Sequence, residues 1–114
     1  MKIGALSRET GLSINTLRYY EKLGLINKTH KDSSGHRTYR AQDIELVNWV
    51  NCLKQSGMPL EKIKTYVQAF TAQDHQQMAA ILCLHLEQLE KQQLALAHYF
   101  EVTQYKLAQL KGLT

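Results

Sequence analysis

The clearest pattern of apolar and polar positions lies between Ser13 and Ile26. Ser13 has a side chain that can cap a helix start, and Gly24 can take the left-handed conformation that ends a helix. The pattern therefore predicts a helix from about Ile14 to Leu23. On a 3.6-residue period, one face of this helix is apolar and suits a core: Ile14, Leu17 and Tyr20. The opposite face carries polar donors, namely Asn15, Tyr19 and Lys22, with Thr16 and Arg18 at its edges.

A short helix from Ala5 to Thr10, ended by Gly11, precedes this segment. Two helices joined by a tight glycine-containing turn form a helix-turn-helix, whose second helix enters the major groove of DNA. The outward amide, phenol and guanidinium groups suit phosphates and base edges. A generic helical hairpin with an ordinary amphipathic surface helix has the same period and remains an alternative at this point.

The segment after Ile26 predicts a basic hairpin. A turn cluster from Asp32 to Gly35 separates two short segments that can pair as strands. The segment carries basic residues with two ring side chains among them: Lys28, Lys31, Arg37 and Arg40, with His36 and Tyr39. Such a projecting ribbon, or wing, suits contact with the sugar–phosphate backbone beside the groove. A solvated charged loop is the alternative.

Two further helices follow the hairpin. The first spans 41–56 with an apolar face of Ile44, Leu46, Val47, Val50 and Leu53, and Gly57 ends it. Pro59 suits the first turn of the second, which runs to about Phe70 with Leu60, Ile63 and Val67 on the same face. Lys54, one turn before the break between these helices, is a candidate for a second phosphate contact.

The remainder of the chain, from about Asp74 to Lys111, contains no glycine or proline. As one helix it would be about 57 Å long. A heptad seam of alternating four- and three-residue steps runs along it: Leu82, Leu86, Leu89, Gln93, Leu96, Phe100, Thr103, Leu107 and Leu110. A stripe this long needs a partner helix, and we expect the same helix of a second copy in a homodimer. A back-folded helical hairpin is the alternative, but no turn signal supports it.

Composition and charge agree with a small globular protein that attracts a polyanion. The 114 residues are 44% hydrophobic, and the net charge of +4 resides in residues 1–43, where eight Lys/Arg face four Asp/Glu. No segment approaches the roughly 20 apolar residues of a membrane span, and no signal-peptide core is present. We therefore expect a cytoplasmic protein with no membrane contact. No nucleophile–base or acid–base motif indicates an enzyme, and we expect no cofactor.

Three motifs together resemble the MerR family of bacterial transcription regulators. They are LSRETGLSINTLRYYEKLGLI, the wing sequence GHRTYR, and LKQSGMPLEKIKTY. The resemblance implies a mainly α fold: a winged helix-turn-helix head at 1–70 with a small β-hairpin wing, and a dimerisation helix at 71–114 that forms an antiparallel coiled coil.

The resemblance also implies site residues and partners. Recognition-helix contacts fall on Asn15, Thr16, Arg18 and Tyr19, wing contacts on His36, Arg37 and Tyr39, and a further phosphate contact on Lys54. Family members bind pseudo-palindromic promoter operators as dimers and distort the DNA so that RNA polymerase can engage both promoter elements. An architectural or excisionase-like DNA-binding protein that works without an effector is the alternative.

The two cysteines predict neither a disulfide framework nor a metal site, since Cys52 and Cys83 are far apart in sequence. The position of Cys52 resembles that of a cysteine in the MerR branch that senses aldehydes and other electrophiles. Such a role needs an accessible thiol. Packing is the alternative for Cys52, because free cysteine is often buried. For Cys83, beside seam residue Leu82, we expect interface packing.

Overall fold

The computed structural model describes residues 1–26, 30–31 and 37–113, with backbone alone at 30, 31 and 37. The fold is mainly α, as predicted. Five helices and two short strands follow one another along this part of the chain: α1 (Ile3–Thr10), α2 (Ile14–Lys22), β1 (His30–Lys31), β2 (Arg37–Thr38), α3 (Ala41–Gln55), α4 (Leu60–Thr71) and α5 (His75–Gly112). The two strands pair antiparallel, with His30 opposite Thr38 and Lys31 opposite Arg37.

The chain divides into two compact units, Met1–Met78 and Ala79–Thr114. We call the first unit the head. The division predicted from the sequence, between residues 70 and 71, stays a prediction. The first unit also includes residues 75–78, the first turn of α5.

Local side-chain and backbone chemistry fixes both ends of the turn between α1 and α2. Gly11 follows α1 with φ 73°, a left-handed conformation that glycine adopts without steric cost, and its N–H donates to Ser7. The Ser13 hydroxyl accepts the Thr16 N–H at 3.1 Å and so caps α2 as predicted. The helix then ends at Lys22, before Leu23 and the left-handed Gly24.

Side chains from α1 to α4 and from the segment after α2 form the core of the head. Its largest fully buried members are Leu6, Leu17, Leu25, Val47, Val50, Leu53 and Ile63. Leu17 and Tyr20 are buried as the helical period predicts. The prediction for Ile14 is wrong, because this side chain is 37% exposed. Ile14 is the first residue of α2 and lies directly beside its exposed cap, where no preceding turn covers it.

The buried face of α4 also differs from the predicted one. Its buried residues are Ile63, Tyr66, Val67 and Ala69, while Leu60 and Phe70 are exposed. Leu60 and Phe70 lie in the first and last turns of the helix, and the buried stripe runs between them. Tyr66 packs edge-to-face against Trp49 of α3, with ring centroids 6.4 Å apart, and so joins the two helices.

The second unit is almost entirely the long helix α5, which exposes many large apolar side chains. On the predicted seam, Leu86, Leu96, Phe100, Leu107 and Leu110 are 52–69% exposed in the single chain. Off the seam, exposed residues of the same kind are Leu84, Leu94, Tyr99, Val102, Tyr105 and Leu113. Across the ranges that the structure describes, no helix combines the length and apolarity needed to cross a bilayer.

Candidate nucleic-acid interface

The outward face of α2 gathers the four predicted recognition residues. Asn15 and Arg18 are exposed, and Tyr19 is 53% exposed, one helical turn after Asn15. Thr16 is half-buried, and its hydroxyl accepts a hydrogen bond from the Ser13 hydroxyl at 2.9 Å. Since Leu17 on the same helix is buried in the core, these polar side chains lie on the solvent side. Their donors are free to meet an extended polyanion.

A second basic position lies at the junction of α2 and α3. The Lys54 Nζ atom lies over the Tyr20 ring, 4.9 Å from the ring centroid, in a cation–π arrangement. The Tyr20 hydroxyl donates to Asn51 Oδ1 at 3.2 Å. Asn51 of α3 therefore holds Tyr20 of α2, and the Tyr20 ring supports the ammonium of Lys54. Lys54, predicted as a phosphate contact, is thus positioned beside α2.

Tyr39, predicted as a wing contact, does not lie on the surface. It is only 3% exposed, and its hydroxyl donates to the Glu21 carboxylate of α2. In the single chain this ring therefore packs inside the head, and its contact with DNA stays a prediction. Of the other wing predictions, His36 and the side chain of Arg37 lie outside the described part of the structure. The backbone of Arg37 lies in β2.

Cys52, on α3 between Asn51 and Leu53, carries an exposed thiol. This exposure meets the accessibility that a sensor cysteine requires. Cys83 on α5 is also exposed in the single chain. Among the residues described, no three His, Cys, Asp or Glu side chains gather in a way that could hold a metal ion.

Sequence reasoning missed Glu21 and Asn51. Glu21 is the one buried charged residue within the described ranges. Its position four residues after Leu17 places it close to the apolar side of α2, so the helical period carried a signal for its burial. No comparable signal existed for Asn51, because its bond to Tyr20 depends on how α3 packs against α2.

Comparison with known proteins agrees with this architecture. Residues 1–69 match the MerR HTH family regulatory protein domain. The HTH-type transcriptional regulator AdhR of Bacillus subtilis is 35% identical over 74 residues, which are 65% of this chain and 53% of AdhR. The chain thus spans about half of AdhR, and it covers 39% of the nodulation protein NolA of Bradyrhizobium elkanii. An uncharacterized HTH-type regulator of B. subtilis, YyaN, is 31% identical over 92% of this chain and 86% of its own length.

Solved structures share the fold over nearly the whole chain. A MerR family transcriptional regulator from Listeria monocytogenes superposes with a TM-score of 0.87 over 94% of this chain and 83% of its own, at 24% identity. HiNmlR, a MerR family regulator lacking the sensor domain and bound to promoter DNA, gives a TM-score of 0.83 at 26% identity, covering 94% of this chain and 86% of its own. The sequence match and the shared fold together show that this chain belongs to the MerR family of helix-turn-helix regulatory proteins.

Proposed function

We propose that the chain is a sequence-specific DNA-binding transcriptional regulator that reads duplex DNA with the outward face of α2. The observation that carries the proposal is the exposure of Asn15, Arg18 and Tyr19 on one side of a helix whose other side is locked in the core. Arginine and asparagine side chains match the base-edge patterns of the major groove. HiNmlR shares this fold and was solved bound to promoter DNA, which supports DNA as the partner of this chain.

The proposed regulator is a homodimer held by α5. The seam leaves Leu86, Leu96 and Phe100 largely exposed in the single chain, a pattern that favours burial against a second helix. Thr103, a polar seam position, donates its hydroxyl hydrogen bond to the Tyr99 carbonyl at 2.7 Å. Its hydroxyl would therefore enter an interface already hydrogen-bonded. We propose an antiparallel pairing, following the family resemblance.

Two heads on a shared pair of long helices would read two half-sites of a pseudo-palindromic operator. The spacing of the heads is then set by the dimer helices, so DNA whose half-sites do not match that spacing must bend or untwist on binding. We propose that this distortion allows RNA polymerase to engage both promoter elements. The protein would act in the cytoplasm as a regulator and carry out no catalysis of its own.

We further propose that Cys52 senses small electrophiles such as aldehydes. Its exposed thiol can add across an aldehyde carbonyl, with sulfur bonding to carbon and the thiol proton passing to oxygen, which gives a hemithioacetal. The adduct would form on α3, next to Asn51, whose side chain holds Tyr20 of the recognition helix. An effector-independent architectural or excisionase-like protein is the competing function.

In vitro transcription from a promoter that carries the operator tests both parts of the proposal. The operator is first selected from random duplex DNA, and transcription is then measured with and without methylglyoxal. We expect a response by the unsubstituted chain and by Cys83→Ser, and none by Cys52→Ser. An equal response by all three proteins, or by none, would remove Cys52 as a sensor. If no operator could be selected from random duplex DNA, the proposal of sequence-specific DNA binding would be contradicted.

A further inference from the structure

Tyr39 lies at the end of the β-hairpin, where hydrogen bonds to Glu21 and Met1 hold it. It directly follows Thr38, the last residue of β2. Its hydroxyl donates to a carboxylate oxygen of Glu21, a residue of α2 that is itself 9% exposed. Its backbone N–H donates to the Met1 carbonyl at 2.6 Å, and its carbonyl accepts from the Met1 nitrogen at 2.7 Å.

These contacts link two surfaces that are distant in sequence. Glu21 belongs to the recognition helix, three residues after Arg18, whereas Tyr39 lies two residues after Arg37 of the wing. A hydrogen bond between a phenol and an ionised carboxylate is stronger than one between neutral groups. Because both partners are buried, water competes weakly for it, and breaking it would leave a buried polar group without that partner.

We propose that Glu21 and Tyr39 are positioning residues that hold the wing in register with the recognition helix. The inference rests on the proposed DNA-binding function and adds to it two residues that need not touch DNA. In this role the Tyr39 ring anchors the base of the hairpin, and the Glu21 carboxylate ties that anchor to α2. If strand β2 is held at one place relative to α2, a contact of its residues with the DNA backbone carries a lower entropic cost.

If Tyr39 positions the wing, the effects of Arg37→Ala and Tyr39→Phe on operator affinity should be coupled. A general contribution of Tyr39 to stability would not produce this coupling. In the unsubstituted chain, Arg37→Ala should lower operator affinity roughly tenfold or more, as expected for loss of a charged phosphate contact. In a Tyr39→Phe background, the same Arg37→Ala change should lower operator affinity less than about threefold, because the end of β2 is then no longer tied to α2 through the Tyr39 hydroxyl. Glu21→Gln keeps an acceptor oxygen for the tyrosine hydroxyl and should retain most of the coupling, whereas Glu21→Leu should lose it.

The experiment measures dissociation constants for a selected operator duplex by fluorescence anisotropy, as a double-mutant cycle in each background. Tyr66→Phe is the matched control, since it removes the hydroxyl of another buried tyrosine in the head. In the Tyr66→Phe background, Arg37→Ala should lower operator affinity by the same factor as in the unsubstituted chain. Circular dichroism checks that each variant keeps its helix content.

Three results would overturn the inference. An equal cost of Arg37→Ala with and without the Tyr39 hydroxyl would show that the wing is positioned independently, while leaving the proposed function intact. If Arg37→Ala did not lower the operator affinity of the unsubstituted chain, there would be no wing contact to position. Failure of the unsubstituted chain to bind any selected operator would overturn the proposed function and this inference together.

Discussion

The ammonium of Lys54 on α3 lies 4.9 Å from the centroid of the Tyr20 ring on α2. A cation over an aromatic face is stabilised by about 0.5–1 kcal/mol when partly exposed. Here the ring is buried and further held by its hydrogen bond to Asn51. The arrangement fixes a positive charge beside the helix that we propose reads DNA, and its effect on binding can be measured.

Lys54→Ala should weaken binding to specific and non-specific DNA alike, because a phosphate contact carries no sequence information. The slope of the logarithm of the binding constant against the logarithm of salt concentration should fall by about 1. Tyr20→Leu should produce part of the same loss by removing the support for the ammonium. Lys106→Ala, on α5, is the charge-matched control and should leave the slope unchanged. An equal fall in the slope for Lys106→Ala would refute the local contact.

Arg18→Ala should remove specificity rather than general affinity for DNA. Loss of an arginine contact with a base edge costs about 1–3 kcal/mol for the preferred operator and little for random sequence. Anisotropy measurements on the operator and on a scrambled duplex give both values, and sedimentation should show an unchanged dimer. If the two duplexes lost affinity equally, Arg18 would be a phosphate contact and not a reading residue.

A charge placed in the α5 seam should separate the dimer, whereas the same charge off the seam should not. Leu96, on the predicted seam, and Leu94, two residues earlier and off it, are 69% and 74% exposed in the single chain. We expect Leu96→Glu and Leu89→Glu to sediment as monomers and Leu94→Glu as a dimer, because only seam positions face the partner helix. Dissociation caused by Leu94→Glu alone would show that the heptad frame is wrong.

Removing the cap of the recognition helix should lower stability without removing any DNA contact. The Ser13 hydroxyl accepts the Thr16 N–H, so Ser13→Ala leaves that donor without its capping partner. The expected loss in the free energy of unfolding is about 1 kcal/mol, measured by urea denaturation. Ser13→Thr keeps the hydroxyl and should lower the free energy of unfolding much less. Equal stability of Ser13→Ala and the unsubstituted chain would show that water replaces the cap at no cost.

Local chemistry made the helices predictable from the sequence. Ser13 and Gly11 mark helix ends through their own side-chain and backbone properties, so the α1–α2 turn was placed correctly. The helical period correctly predicts that Leu17 is buried. It wrongly assigns Ile14 to the core, because a periodic pattern does not show that a side chain at the end of a helix lacks packing neighbours. The apolar ends of α4 were misjudged for the same reason.

The site was less predictable, because its decisive contacts join residues far apart in the chain. Tyr39 resembles a surface wing residue in sequence, and only its packing onto Glu21 shows that it is buried. The exposure of Cys52 is likewise set by the packing of α3, whose helical period placed the thiol near the edge of the apolar face. The sequence pattern thus predicted the exposed polar face of α2 but not the contacts that support it.

Selection of binding sites from a random duplex library tests the central claim most directly. The unsubstituted chain and Arg18→Ala would be run in parallel, and the recovered sequences compared. Our account predicts that the unsubstituted chain enriches a pseudo-palindrome of two half-sites, while Arg18→Ala enriches none. Recovery of no common sequence by the unsubstituted chain, or of the same sequence by both proteins, would contradict it.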